Sequence, residues 1–466
     1  MKSYIKMLAV ATSGLLFASC SDSFFDLQPD DQVSVDKVYT DANGFELAVN
    51  GCYAKLQTQM DFYTEMCEYR SDDLYLNAPT AGTQDRYDIS SFSETAANGI
   101  LDDMWANFNN GIYRCNMVLD RIDDADFDES LKKQYKGEAM FIRAYTLFNM
   151  YRSWGTVPVA RKVLSVSEAL KVGRASESEM YTYIAGDLEQ IINEGMLPTS
   201  YSAEDFGRVT LGAAKALLAK VYLTFGKYSE ASAVLQTLIG GQYSLQSNIL
   251  DVFDVDKKNN SEIIWAINYN KSVVSEGHGA WYSLTNLTDE TNRTAAFDNL
   301  YTADDKRLEA IEYVQVPGVK VCLMKKFYDT IDSSTKQYGA NNIILRYADV
   351  LLMYAEALNE LGYSSNPTSP ALAAINEVRT RAGLTPLDIT DVPDQASFRK
   401  AILLERQKEF PYEGHRWFDA VRMGAGIECA KNAGYDIQSY QFLFPIPQTE
   451  LERINDTSLL WQNPGY

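Results

Sequence analysis

Histidine is almost missing from this chain: His278 and His415 are the only two among 466 residues. That excludes a histidine-built metal centre and argues against a Ser-His-Asp triad. Positive charge is scarce as well, with 42 Lys+Arg against 63 Asp+Glu and a formal net charge of −21. A surface of that balance repels phosphate, so nucleic acid is excluded as a partner, and so is charge-driven docking on anionic lipid. The six cysteines, Cys20, Cys52, Cys67, Cys115, Cys322 and Cys429, show no CxxC spacing, so zinc and thioredoxin-type motifs are absent. Cys52 and Cys67, the closest of the last five in sequence, are the pair an oxidising compartment would join; free buried thiols are the other reading. Past the N-terminus no apolar run reaches the ~20 residues of a membrane-spanning helix. HExxH, GxSxG and GxxxxGK[ST] are all absent, and Gly424-Ala425-Gly426 is too short for a dinucleotide loop. Asp254-x-Asp256 opens like a calcium loop, but Lys258 stands where the next oxygen ligand belongs. No cofactor or metal is expected, beyond an incidental structural calcium.

What is present begins with an address. Lys2 and Lys6 form a basic start, Leu8 to Ala18 is an uncharged and mostly apolar stretch, and Leu16-Phe17-Ala18-Ser19-Cys20 sets small residues before a cysteine. This is a secretory signal, and its end resembles a bacterial lipobox that would make Cys20 the lipidated first residue of the mature chain. Residues 1–19 are then the signal peptide and 20–35 a tether rich in Asp. Residues 36–466 form one globular domain, for which 46% hydrophobic residues supply an ample core.

Helical periodicity recurs in blocks. Phe141, Ala144, Phe148 and Tyr151 make one stripe; Ala214, Leu217, Leu218, Val221, Tyr222 and Phe225 make another. After a break at Gly226-Lys227, the stripe of Tyr228, Ala231, Leu235 and Leu238 completes a helical hairpin that resembles a tetratricopeptide unit. A second hairpin reads from Leu351, Tyr354, Ala355 and Leu358, then Ala371, Ile375, Val378 and Ala382, with the blocks 104–122 and 137–154 as a further pair. The expected class is mainly α, a tetratricopeptide-like scaffold of helical hairpins with minor β structure and a loop-rich ligand-binding face.

Two segments break the rhythm, 71–100 and 257–342, the second carrying the strand-like run Glu262 to Ile267. Loops of that length tend to be functional. Sugar rings stack their apolar faces on aromatic side chains while their hydroxyls seek Asn, Asp and Arg. Trp281 and Tyr282, followed by Asn286, Asn292 and Arg293, bring both kinds of group to one loop; packing of Trp281 onto the scaffold is the alternative. The carboxylates Glu405, Glu409 and Glu413 recur at every fourth residue beside Arg406, Arg416 and Asp419. We read them as structural ion pairs on one helix face rather than as glycosidase acids.

Leu345-Arg346-Tyr347-Ala348-Asp349-Val350-Leu351-Leu352-Met353-Tyr354-Ala355-Glu356-Ala357 resembles the hallmark helix of SusD/RagB-like outer-membrane lipoproteins. Ile375-Asn376-x-Val378-Arg379-x-Arg381-Ala382-Gly383, Glu405-Arg406-x-x-Glu409-Phe410, Glu413-Gly414-x-Arg416-Trp417-Phe418-Asp419, Pro445-Ile446-Pro447 and Gln462-Asn463-Pro464-Gly465-Tyr466 follow in the same order. Trp105, Asn116, Arg143-Ala144-Tyr145 and Gly155-x-Val157-Pro158 extend the likeness to the N-terminal half. The resemblance implies a non-enzymatic, surface-exposed lipoprotein of the outer membrane. Such a protein captures glycans, or less often peptides, for a partner SusC-like TonB-dependent transporter. It also implies that the motif residues are scaffold, that the ligand face includes the Trp281 to Arg293 segment and the loop before Trp105, and that Tyr75, Tyr87 and Phe92 are further ligand positions. A peptide-capturing relative is the alternative, and a surface glycoside hydrolase a distant one.

Overall fold

The computed structural model describes residues 38–59, 62–76, 79, 82–279, 291–315 and 322–466. The apolar stripes fold as helices, and polar side chains set their boundaries. Asp41 opens α1 (Ala42–Gln57), its carboxylate accepting from the Gly44 amide at 2.9 Å. After β1 (Leu74–Leu76) and the short α2 (Gln84–Ser90) come α3 (Gly99–Leu119) and α4 (Glu129–Trp154). Asn98 and Asp128 cap these two, each accepting from two first-turn amides, an arrangement worth about 1 kcal/mol per helix. Ser176 and Glu179 bond reciprocally at the start of α5 (Glu177–Glu194), and Gly195 stops it in the left-handed conformation.

The hairpin read from the sequence is α6 (Leu211–Thr224) and α7 (Tyr228–Gln236), turning through Gly226 at φ 68°. Ala213, Ala216, Ala219 and Ala231 are fully buried, so small side chains line its helix contacts. The second hairpin is α8 (Tyr347–Leu361) and α9 (Pro370–Arg381), the latter opened by Ser369 with proline in its first turn. After it come α10 (Gln395–Glu409), α11 (Arg416–Arg422) and α12 (Gly426–Asn432). From α3 to α9 each helix packs on the next; α1 lies against α3 and α10 returns onto α8. This is the tetratricopeptide-like stack. At its centre residues 137–150 of α4 are buried on all sides, with Phe141, Ile142, Ala144, Leu147 and Met150 inaccessible to solvent.

Strands occupy the segment between α7 and α8. β2 (Ile263–Ile267) pairs antiparallel with β6 (Asn342–Arg346), and Trp265 sets its ring edge-on to Phe141 and Tyr145 at 4.9 and 5.1 Å, seating the pair on α4. β3 (Thr291–Arg293) pairs with β1, and β4 (Tyr313–Gln315) with β5 (Cys322–Met324). Segment 71–100, read as irregular, contains β1 and α2: elements of three and seven residues are too short to display a period.

Of the two readings of the cysteines the free thiols hold, and one further expectation, the shared face of the acid cluster, changes. Cys52 and Cys67 form no disulfide; both are buried free thiols, as are Cys115 and Cys429. Cys52 Sγ donates to the Ala48 carbonyl within α1, and burial drives the Cys67 thiol well above its usual range. Glu413 does not share a helix face with Glu405 and Glu409, because α10 ends at Glu409. Pro411 disfavours helical geometry at Phe410.

The acids are indeed paired, but with cations from distant segments. Arg307 reaches Asp305, Glu405 and Glu409 at 2.9, 2.7 and 3.2 Å. Arg346 reaches Glu262, Glu409 and Glu413 at 2.8, 2.6 and 2.8 Å. Arg379 holds Glu405 at 2.9 Å, and Arg381 joins Glu262 to Glu409. Arg406 points instead to Asp349 and Asp419, and Arg416 to Asp72. This buried charge lattice pins α8, α10 and the strand-bearing segment together.

Candidate functional site

The β1–β3 pairing joins the two segments that break the helical rhythm, setting Tyr75 opposite Asn292 and Leu74 opposite Arg293. Leu74 is buried, Tyr75 half-buried. Thr294 fastens the junction: its amide donates to the Asp73 carbonyl at 3.1 Å and its hydroxyl to the Asp72 carbonyl.

Around this junction the structure gathers tyrosines. Tyr87 projects from α2 and is half-buried, as is Tyr435 after α12. Burial raises the Tyr435 phenol above its ordinary range; the nearby Ser90 side chain opposes the rise, and the neighbouring phenols of Tyr87 and Tyr75 add to it. Three partly exposed aromatic rings, Tyr75, Tyr87 and Tyr435, therefore share one patch. Tyr435 was not foreseen, because a lone tyrosine after a helix-stopping glycine carries no periodic signal.

The cations beside the patch are engaged. Arg86 Nε donates to Glu65 Oε2 at 2.6 Å, and its guanidinium lies 5.7 Å from the Tyr69 ring centre. Arg293 Nε lies 2.9 Å from Asp298 Oδ1, Nη1 donates to the Ile311 carbonyl at 3.4 Å, and the Phe297 ring centre is 5.7 Å away. Phe92 is a correction: it is only 6% exposed and takes φ 57°. Its ring is filled from within the fold by Arg70, 4.5 Å from the ring centre, by Trp417 at 5.3 Å and by Tyr435 at 5.7 Å. Phe92 supports the patch from beneath and presents no face to a ligand. The loop before Trp105 is likewise tied down, Glu94 pairing with Arg70 at 2.7 Å and accepting from Tyr466 at 3.1 Å. Trp105 itself is buried, edge-on to Trp154 at 5.3 Å. Asn292 has its place in β3, while Trp281, Tyr282, Asn286 and the lipidation residue Cys20 lie outside the described residues.

A separate cavity of about 430 Å³ opens between α1, residues 204–208 and the end of β2. Gln57 bridges it, donating to the Asn268 carbonyl at 2.8 Å and to Glu276 at 3.1 Å. Arg208 is held by Glu46, Glu138 and Asp205. It shares no residue with the tyrosine patch. Among the described residues no group of three or more His, Cys, Asp or Glu is arranged to hold a metal ion.

A stack of helical hairpins carrying a strand-fastened aromatic face defines the class of protein. The chain belongs to the SusD/RagB-like family: residues 320–466 match the model described as "SusD family", and residues 23–223 match "Starch-binding associating with outer membrane". Two SusD-like proteins of Formosa agariphila, P2 and P38, are 26% and 28% identical to it. Those alignments cover 97% of this chain and 98% of P2, and 91% of this chain and 92% of P38. Among solved structures, a laminarin binding SusD-like protein superposes with a TM-score of 0.76 at 27% identity, over 92% of this chain and all of that one.

Proposed function

We propose that the chain is a cell-surface glycan-binding lipoprotein. It is anchored in the outer membrane through Cys20 and passes captured glycan to a SusC-like TonB-dependent transporter. The full-length likeness to a laminarin binding protein carries this reading. The patch of Tyr75, Tyr87 and Tyr435 supports it, because partly exposed phenols offer ring faces to sugars and hydroxyls to their polar groups. On this reading the protein binds and does not hydrolyse, and the burial of Glu405, Glu409 and Glu413, the tightest acid cluster in the sequence, against arginines and Lys326 supports it by keeping that cluster out of reach of a polysaccharide.

Affinity electrophoresis of the mature chain in gels containing laminarin, starch and other neutral glycans tests the proposal. Retardation by at least one is expected. Trp281→Ala, and separately Tyr87→Ala with Tyr435→Ala, should each weaken binding about tenfold or more, a loss of about 1–3 kcal/mol, with the helical circular dichroism of the scaffold retained. Free migration in every glycan would overturn it.

A further inference from the structure

A second cavity, of about 300 Å³, is set into the helical scaffold where α4, α6 and α11 meet, and it shares no residue with the tyrosine patch. Phe148, Phe418, Val421 and Leu443 supply its apolar wall; Arg152, Lys220 and Arg422 supply cations. Two of the three cations are already compensated. Lys220 Nζ lies 2.6 Å from Asp349 and 3.3 Å from His415 Nδ1, and Arg422 is paired with Glu356 and with Asp419.

Arg152 is different. Its Nε donates to Asn149 Oδ1 at 3.1 Å, and among the described residues no carboxylate lies within ion-pair distance of it. Aromatic faces hold it instead: its guanidinium carbon is 4.0 Å from the Phe418 ring centre, 5.2 Å from Phe148 and 5.3 Å from Phe62. Ring faces fix a guanidinium in place but provide no acceptor for its in-plane N–H fork, the group that matches a carboxylate in bidentate fashion. An arginine immobilised in an apolar cavity, with its terminal nitrogens unused, is preorganised for an anion. Two carboxylates also line the wall, and both are engaged elsewhere: Asp419 pairs with Arg406 and Arg422, and Glu177 accepts from the Tyr151 hydroxyl, while burial, with Lys220 beside it, holds His415 neutral well below its usual range.

We propose that this cavity binds a small organic carboxylate with an aromatic or alkyl body. The carboxylate takes the Arg152 fork and the body lies along Phe148, Val421 and Leu443. The volume is at the lower end of small-molecule sites, suited to one compact ligand and not to a polysaccharide chain.

Titration calorimetry of the mature chain with 3-phenylpropionate and with its neutral amide tests the assignment. The acid should bind saturably at one site, with the amide at least about tenfold weaker. Arg152→Gln should weaken the acid by a similar factor. Because that variant also loses its ring contacts, Thr224→Phe, which fills the cavity from the end of α6 and leaves every charge in place, is the second arm. It should abolish phenylpropionate binding and leave glycan retardation unchanged. No saturable binding at millimolar acid, equal binding of acid and amide, or unaltered binding in Thr224→Phe would each overturn the proposal.

Discussion

Asp73 and Glu409 show two opposite fates of a buried carboxylate. Both are inaccessible to solvent, yet their surroundings push them apart. One oxygen of Asp73 accepts from Gln407 at 2.9 Å and the other has no donor. Burial, reinforced by the charge of Asp72, pushes its pKa up to about 7. An unfolded aspartate titrates near ~3.9, so the folded chain binds the extra proton between about pH 4 and pH 7, and stability falls as pH rises through that window. Asp73→Asn should therefore raise the melting temperature at pH 8 and leave it nearly unchanged at pH 4; an equal change at both would contradict this account. For Glu409 burial also raises the pKa, but Arg381, Arg346 and Arg307 outweigh it and hold the carboxyl below its ordinary range. Its contribution is present above the unfolded value and is lost as pH falls below about 4. Glu409→Gln should cost about 3–5 kcal/mol at pH 7, read as a lower urea midpoint, because it leaves buried guanidinium groups undercompensated. The same variant should shrink in effect toward pH 3. The acid cluster was visible in the sequence, and so was its structural role. Its partners were not, since Arg307 and Arg346 stand far away along the chain and nothing local marks them as buried.

The element on which the proposed glycan face depends is the short β1–β3 ladder. Three residues a side give it little strength of its own, and Thr294 supplies what it lacks. The side chain is 3% exposed, donates to the Asp72 carbonyl and accepts from the Phe297 amide at 3.1 Å. Thr294→Val preserves the shape and deletes both bonds, a loss of about 1 kcal/mol for the cap alone. Amide exchange is expected to speed up in residues 72–76 and 291–297, with α6 to α8 keeping their protection, and glycan affinity should drop. Faster exchange through α8 as well would mean that the ladder and the helical stack open as one unit. The helical hairpins were legible because fourteen- and fifteen-residue helices such as α6 and α8 display their period, and because Gly226 and Ser369-Pro370 punctuate them. The ladder was not legible: pairing Tyr75 with Asn292 is a long-range event that a three-residue strand cannot announce. Phe92 was misplaced for a related reason, since its burial comes from Trp417 and Tyr435 on the other half of the chain.

At the scale of the whole molecule the net charge of −21 limits which glycan the proposed face can accept. A local positive pocket could override that field, and Arg86 and Arg293 are the cations that flank the face. The structure commits both to acids, Arg86 to Glu65 and Arg293 to Asp298. A polysaccharide bearing sulfate or uronate would meet the field of the acidic surface with these two neighbouring cations already neutralised, whereas a neutral glucan needs only ring faces and hydrogen bonds. Salt distinguishes the two cases, because the screening length shrinks from about 10 Å at 0.1 M to about 3 Å at 1 M. Laminarin retardation should change less than about twofold over that range, as stacking and neutral hydrogen bonds are weakly screened. A sulfated laminarin should fail to retard the protein at low salt, and any weak retardation should grow as salt is added. Strong low-salt binding of the sulfated polymer that salt abolishes would reveal an uncompensated basic site at the face and would reassign the ligand class from neutral to acidic glycan.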